Sequence, residues 1–159
     1  ALARGIVDLA PHFFAYALSF AVVGRLWLVH HRFFATLEGF DGRLMVANLV
    51  YLSLIVLVPF TSDLLGTYGE IDVAVMTYAA ILGLAALVNV LMISYALRQD
   101  LVRAADRPAT EPFGTLRALA TPGAFLVSIP IALLSPLAAQ LTWLLAFVSV
   151  RLQRRAGSV

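Results

Sequence analysis

The sequence predicts an all-α fold, a polytopic membrane helix bundle, on three observations. Composition is the first: 62% of the residues are hydrophobic and 13% charged, with a mean hydropathy of +0.93, whereas soluble domains carry about 25% charged residues. The second is five apolar segments near the length of ~20 residues that crosses a ~30 Å hydrocarbon core. The third is that arginine concentrates in alternate connections between those segments, the asymmetry that orients membrane helices.

Taken in order, the first span runs from about His12 to Phe34 and the second from about Leu44 to Leu65. The third covers about Val73 to Leu97. The fourth, Leu116 to Leu134, and the fifth, Leu137 to Leu152, are separated by Ser135-Pro136. That proline lacks a backbone donor and disfavours helix at the preceding residue, so the two spans form a tight helical hairpin. Residues 98–115 are the one long polar connection, expected as a loop with at most a helical first turn. The whole chain, 1–159, reads as one membrane domain.

Nine arginines fall on one side: Arg32, Arg43, Arg98, Arg103, Arg107, Arg117, Arg151, Arg154 and Arg155. By the positive-inside rule that side is cytoplasmic, the C-terminus with it, and the expected location is a bacterial inner membrane. Asp63, Glu70 and Asp72 mark the other side, and Arg4 and Asp8 stand at the start. Five spans then leave the first residue outside, an arrangement that a sixth helix ahead of Ala1 would remove.

Several function classes are excluded or disfavoured. The 11 basic residues are all arginine, and a net charge of +2 is too small to suggest a nucleic-acid partner. With no cysteine there is no thiolate metal site or cysteine nucleophile. The acids Asp8, Glu38, Asp41, Asp63, Glu70 and Asp72 are expected in or beside loops, without a histidine at triad or metal-ligand spacing. No phosphate loop or zinc helix motif occurs, so neither an enzyme nor a cofactor is expected. A secondary transporter would show an intramembrane acid or paired interrupted helices, and neither is visible in the sequence. A non-conducting structural subunit stays open as an alternative.

The first span carries Arg25, Trp27, His30 and His31 in an otherwise apolar run. Groups of this kind at membrane depth face a bundle interior, a cavity or the interface. Tyr16, Phe20, Val23, Trp27, His31 and Phe34 recur every three or four residues, so they form one stripe that requires a partner helix. Trp27 and His31 each have a ring N–H to donate. Asn48, Tyr51 and Ser53 on the second span are candidates to bond back to this region, because a buried amide in hydrocarbon needs partners. The alternative places Trp27 in the interfacial aromatic belt and ends the helix at the headgroups with His30-His31-Arg32. Adjacent histidines point about 100° apart on a helix, which argues against a metal pair. Arg25 lies roughly 10 Å from the helix end, and its side chain either snorkels to the interface or pairs with a carboxylate, none of which is visible at that depth. In the third span, Asn89 reads as an interhelical hydrogen-bonding residue, and Ala79 with Gly83 as a small-residue packing pair.

Ser19-Phe20, Trp27, His30-His31 and Phe34, followed on the next span by Asn48 and Pro59-Phe60-Thr61, resemble the second and third helices of the transmembrane protein 175 family. That family comprises potassium channels of bacteria and archaea and their animal endosomal and lysosomal relatives, and the resemblance covers about residues 10–98. It implies six helices per repeat, bacterial homotetramers, a lipid bilayer setting and a central potassium pore. It also implies that the pore is lined by a first helix carrying Arg-x-x-x-Phe-Ser-Asp. No Phe-Ser-Asp occurs in this sequence, so the five spans correspond to helices two to six and the selectivity filter is not assigned. On this resemblance Trp27, His31 and Asn48 form the network that supports the pore helix, with Ser19, Phe20, His30 and Arg25 as secondary contributors. Arg25 departs from the family's apolar residue at that position.

Overall fold

The computed structural model describes residues 10–111 and 116–143. Arg4, Asp8, Pro112, the tail arginines and the C-terminal half of the fifth span lie outside the described residues. Every regular element that is described is helical, apart from one antiparallel bridge between Leu37 and Val102.

Helix α1 (Ala10–Ala35) is followed by α2 (Gly42–Val56) and α3 (Val58–Tyr68), then by α4 (Asp72–Arg98). A 3-10 turn (Ala104–Asp106), the short α5 (Arg107–Thr110) and a second 3-10 turn (Leu116–Leu119) lead to α6 (Ala120–Ala132). A last helix, α7, begins at residue 136 and is described to 143. Gly42–Tyr68 and Asp72–Arg98, each of 27 residues with hydropathy 2.2, are long and apolar enough to cross a membrane by length and composition.

Local chemistry sets the boundaries. Asp41 caps α2 from an extended backbone, its carboxylate accepting from the Leu44 N–H at 2.8 Å. The second span, expected as continuous, breaks at Leu57. Pro59 has no N–H for the carbonyl one turn earlier, while the Leu57 N–H turns to the Leu54 carbonyl at 3.1 Å. Asp63, expected in a loop, therefore sits within α3 on an exposed position. The fourth span opens as a 3-10 turn, and α6 carries Pro130 inside it.

The connection expected as a loop is a folded clip. Asp100 takes a left-handed conformation (φ 55) just past α4, and the Leu101 N–H returns to the Ala96 carbonyl at 2.9 Å. This closes α4 in a Schellman motif, which an aspartate tolerates better than most residues. Arg107 then donates to the Leu97 carbonyl at 2.9 Å and pairs with Asp100. Arg103 pairs with Asp106 at 2.7 Å and donates to the Ala35 carbonyl at the end of α1. Two arginines from one connection thus close the C-termini of the two longest helices, where a cation also complements the helix dipole.

Helix α4 is the centre of the bundle, packing on α6, α2 and α3. Its small residues Ala79, Ala86 and Gly83 are buried, and a Cβ built on Gly83 would lie 3.0 Å from the Leu126 Cδ2. This close approach lets α4 and α6 pack with little between their backbones. Helix α1 lies at the edge, mainly against α3.

Candidate functional site: the two faces of α1

One face of α1 is packed and the other is open. Ser19, Val22, Leu26 and Phe33, spaced three, four and seven apart, are buried. The stripe of aromatic and histidine residues lies on a different face: Phe20 is 70% exposed, Tyr16 66% and Trp27 57%, and His31 is exposed as well. Trp27 and His31 stack on each other one turn apart, with ring centroids 5.1 Å apart and planes 9° from parallel. Tyr16 and Phe20 stack in the same way at 6.3 Å.

The structure tells the two histidines apart at this point. The partner of Asn48 is His30, whose Nε2–H donates to the Asn48 Oδ1 at 2.8 Å, and not His31. The His30 ring is sandwiched by Phe34 at 4.3 Å and Tyr51 at 4.7 Å, the latter nearly parallel. Neighbouring residues on a helix point about 100° apart, so the histidine pair divides its work: His30 ties α1 to α2, and His31 stays with Trp27 on the open face. Ser53 does not reach back, since its hydroxyl donates to the Val50 carbonyl of its own helix.

Toward the other end of the bundle, Ser19 anchors α1 to two further helices. Its hydroxyl donates to Ser62 of α3 at 2.8 Å and lies 3.0 Å from the Tyr78 hydroxyl of α4, which then donates to it. The Tyr78 ring rests against Trp143 at 5.1 Å. Trp143 is fully buried, and its indole N–H donates to the Ser128 Oγ at 2.7 Å across the α6–α7 hairpin. Sequence reasoning missed this cluster. A fifth-span tryptophan within reach of a serine in a span ending in Ser-Pro was its available signal.

Arg25 and Arg32 are seven residues apart, two helical turns, and so share a side of α1. From helical periodicity, that side points well over 100° away from the Trp27–His31 stripe. Arg25 is half-buried and engaged in an interaction within the chain. Asn89 is 2% exposed, and among the described residues neither of its amide atoms has a hydrogen-bond partner.

At the arginine-rich end, the Tyr95 hydroxyl donates to Asp41. Together with the Leu44 N–H this holds the Asp41 carboxyl below the usual carboxylate range. Among the described residues there is no group of three or more side chains suited to holding a metal ion.

The helical spans and the face that α1 leaves open define a polytopic all-α membrane protein. A potassium channel of Chamaesiphon minutus is 30% identical over 139 residues, covering 84% of this chain and 68% of its own length, and the family profile described as "Endosomal/lysosomal potassium channel TMEM175" matches residues 1–59. The chain belongs to this TMEM175 family of potassium channels. The crystal structure of a lysosomal potassium-selective channel TMEM175 homolog from Chamaesiphon minutus shares its fold, with a TM-score of 0.79 and 26% identity over 94% of this chain and 78% of that one. A potassium channel of Streptomyces collinus is 35% identical over 74 residues. The zebrafish endosomal/lysosomal proton channel TMEM175 is 28% identical over 80 residues. The chain covers 36% of the Streptomyces relative's length and 15% of the zebrafish one's.

Proposed function

We propose that this chain is part of the protomer of a potassium-selective channel, supplying helices two to six of a six-helix repeat that assembles as a homotetramer around a central pore. The observation that carries the reading is the likeness of fold and sequence to the Chamaesiphon channel along nearly the whole chain. The geometry of α1 accords with it. Its back is locked by Ser19 and His30, while Trp27 and His31 offer ring N–H groups on the open side to a neighbouring pore-lining helix.

In this reading Asn48 acts from behind, fixing the rotation of α1 through His30. Trp27 and His31 hold the pore helix through hydrogen bonds that a hydrocarbon environment favours. Phe20 extends the same surface. Arg25 is directed away from the pore, so its charge does not oppose a permeant cation. Potassium passes without a cofactor or covalent chemistry, and the arginine-rich end with the C-terminus is cytoplasmic in a bacterial inner membrane.

Liposomes containing the complete gene product test this by potassium, sodium and proton flux under matched gradients. Potassium flux well above sodium flux is expected. Equal flux of the two, or no flux of either, overturns the selective-channel reading. Proton flux without potassium flux would move the protein toward the activity named for the zebrafish relative.

A further inference from the structure

A cleft of about 240 Å³ opens at the arginine-rich end between α1, α4 and α5, on the side of α1 away from the open stripe. Val29, Phe33 and Ile93 give it apolar walls, Thr36 and Thr110 lie within it, and Arg32 stands at its rim. Both threonine hydroxyl hydrogens are already committed, Thr36 to the Phe33 carbonyl at 2.7 Å and Thr110 to the Asp106 carbonyl at 2.9 Å. The interior therefore has no side-chain hydroxyl left to donate and suits hydrocarbon.

Arg32 is the one charged side chain among the described residues that line the cleft. Of the acids on the adjoining segments, Asp106 and Asp100 are taken by Arg103 and Arg107, and the exposed Glu38 and Glu111 stand beside the cleft without lining it. Arg32, in the last turn of α1 and exposed, makes no ion pair among the described residues. A helix end places it at headgroup depth once the bundle spans a bilayer. An apolar cleft under a single unpaired guanidinium is complementary to a molecule with a hydrocarbon chain and an anionic head, and basic pockets between membrane helices bind such lipids. A free phosphate would have no use for the apolar walls.

We propose that this cleft binds an anionic phospholipid, one acyl chain lying against Val29, Phe33 and Ile93 and the phosphate resting on Arg32. The proposal rests on the membrane setting of the chain and not on what the channel conducts, so lipid retention and ion flux can fail separately.

The complete gene product, purified in detergent and equilibrated with micelles holding equal amounts of phosphatidylcholine and phosphatidylglycerol, is assayed by native mass spectrometry for retained lipid. Phosphatidylglycerol should be retained in preference. Arg32→Gln should lower its retention about fivefold, the factor that one membrane-proximal arginine is worth. Arg32→Lys should restore most of it, and Ala109→Phe, which fills the mouth of the cleft and leaves the charge, should lower it as Arg32→Gln does. Arg98→Gln, an exposed arginine outside the cleft, should leave it unchanged. The site is overturned by equal retention of both lipids, by equal losses in Arg32→Gln and Arg98→Gln, by full retention in Ala109→Phe, or by displacement of the lipid with inorganic phosphate.

Discussion

At the scale of single residues, the histidine pair shows how much a sequence discloses. Periodicity groups His31 with Trp27 and Phe20, and on the structure that stripe does share a face. It cannot say which of two adjacent histidines meets Asn48, because that depends on the rotation of α1 against α2, a property of their packing. Asn48 itself was legible, since an amide in an apolar span must find a partner. Trp143 was not, because its partner Ser128 comes near only when the α6–α7 hairpin closes. The division between the histidines has a measurable consequence. Asn48→Leu leaves His30 without its acceptor and should destabilise the folded chain by about 1 kcal/mol in detergent thermal unfolding, the scale of hydrogen bonds between membrane helices. In residues 1–159 expressed alone, where no pore helix covers that face, His31→Ala should change the same transition far less. Equal effects from the two would contradict the separation of roles.

Among the elements, apolar length made the spans readable, and turn chemistry located most of their ends. The break after Val56 follows from Pro59, yet a proline in a membrane helix is often absorbed without a break, so position alone could not decide it. Less was legible in residues 98–111. Their polarity announces a connection, but the hydrogen bonds that fold it join Glu38 to Leu101 and Arg103 to Thr36, residues far apart in sequence. Tight packing of α4 on α6 was foreshadowed by Ala79 and Gly83, although the partner helix was not. Gly83→Val would push against Leu126 and Phe125, whose atoms lie 3.0–3.2 Å from the position of a Cβ. A loss of about 1–3 kcal/mol is expected in equilibrium unfolding, the usual cost of overpacking. Gly123, also helical, has open space at its Cβ, so Gly123→Ala should be neutral or slightly stabilising. If Gly83→Val is tolerated as well as Gly123→Ala, the close α4–α6 approach is wrong.

For the whole molecule, the bundle is asymmetric in what it leaves open. Half of the apolar stretch of α4 is buried, against about a fifth for the α2–α3 span, and α1 and that span present Phe20, Trp27, Met45, Leu49 and Phe60 outward. In a bilayer most of such a surface can face lipid, but the stacked indole and imidazole rings carry N–H groups that require acceptors. Under the channel reading, Trp27→Ala should leave membrane insertion and helix content intact while weakening assembly by about 2 kcal/mol, the scale of an interface hot spot. Oligomer mass in detergent as a function of protein concentration measures this. An unchanged oligomer would return Trp27 to the interfacial aromatic belt.

The arginine clip also bears on how the protein is made. Ala35 ends α1, and the guanidinium that donates to its carbonyl belongs to a residue 68 positions later. At 5–20 residues per second a ribosome needs roughly 3–14 s to cover that distance. Throughout that interval the Ala35 carbonyl lacks this donor, and the end of α1 is closed only when the third long span has been synthesised and the arginine that trails it arrives.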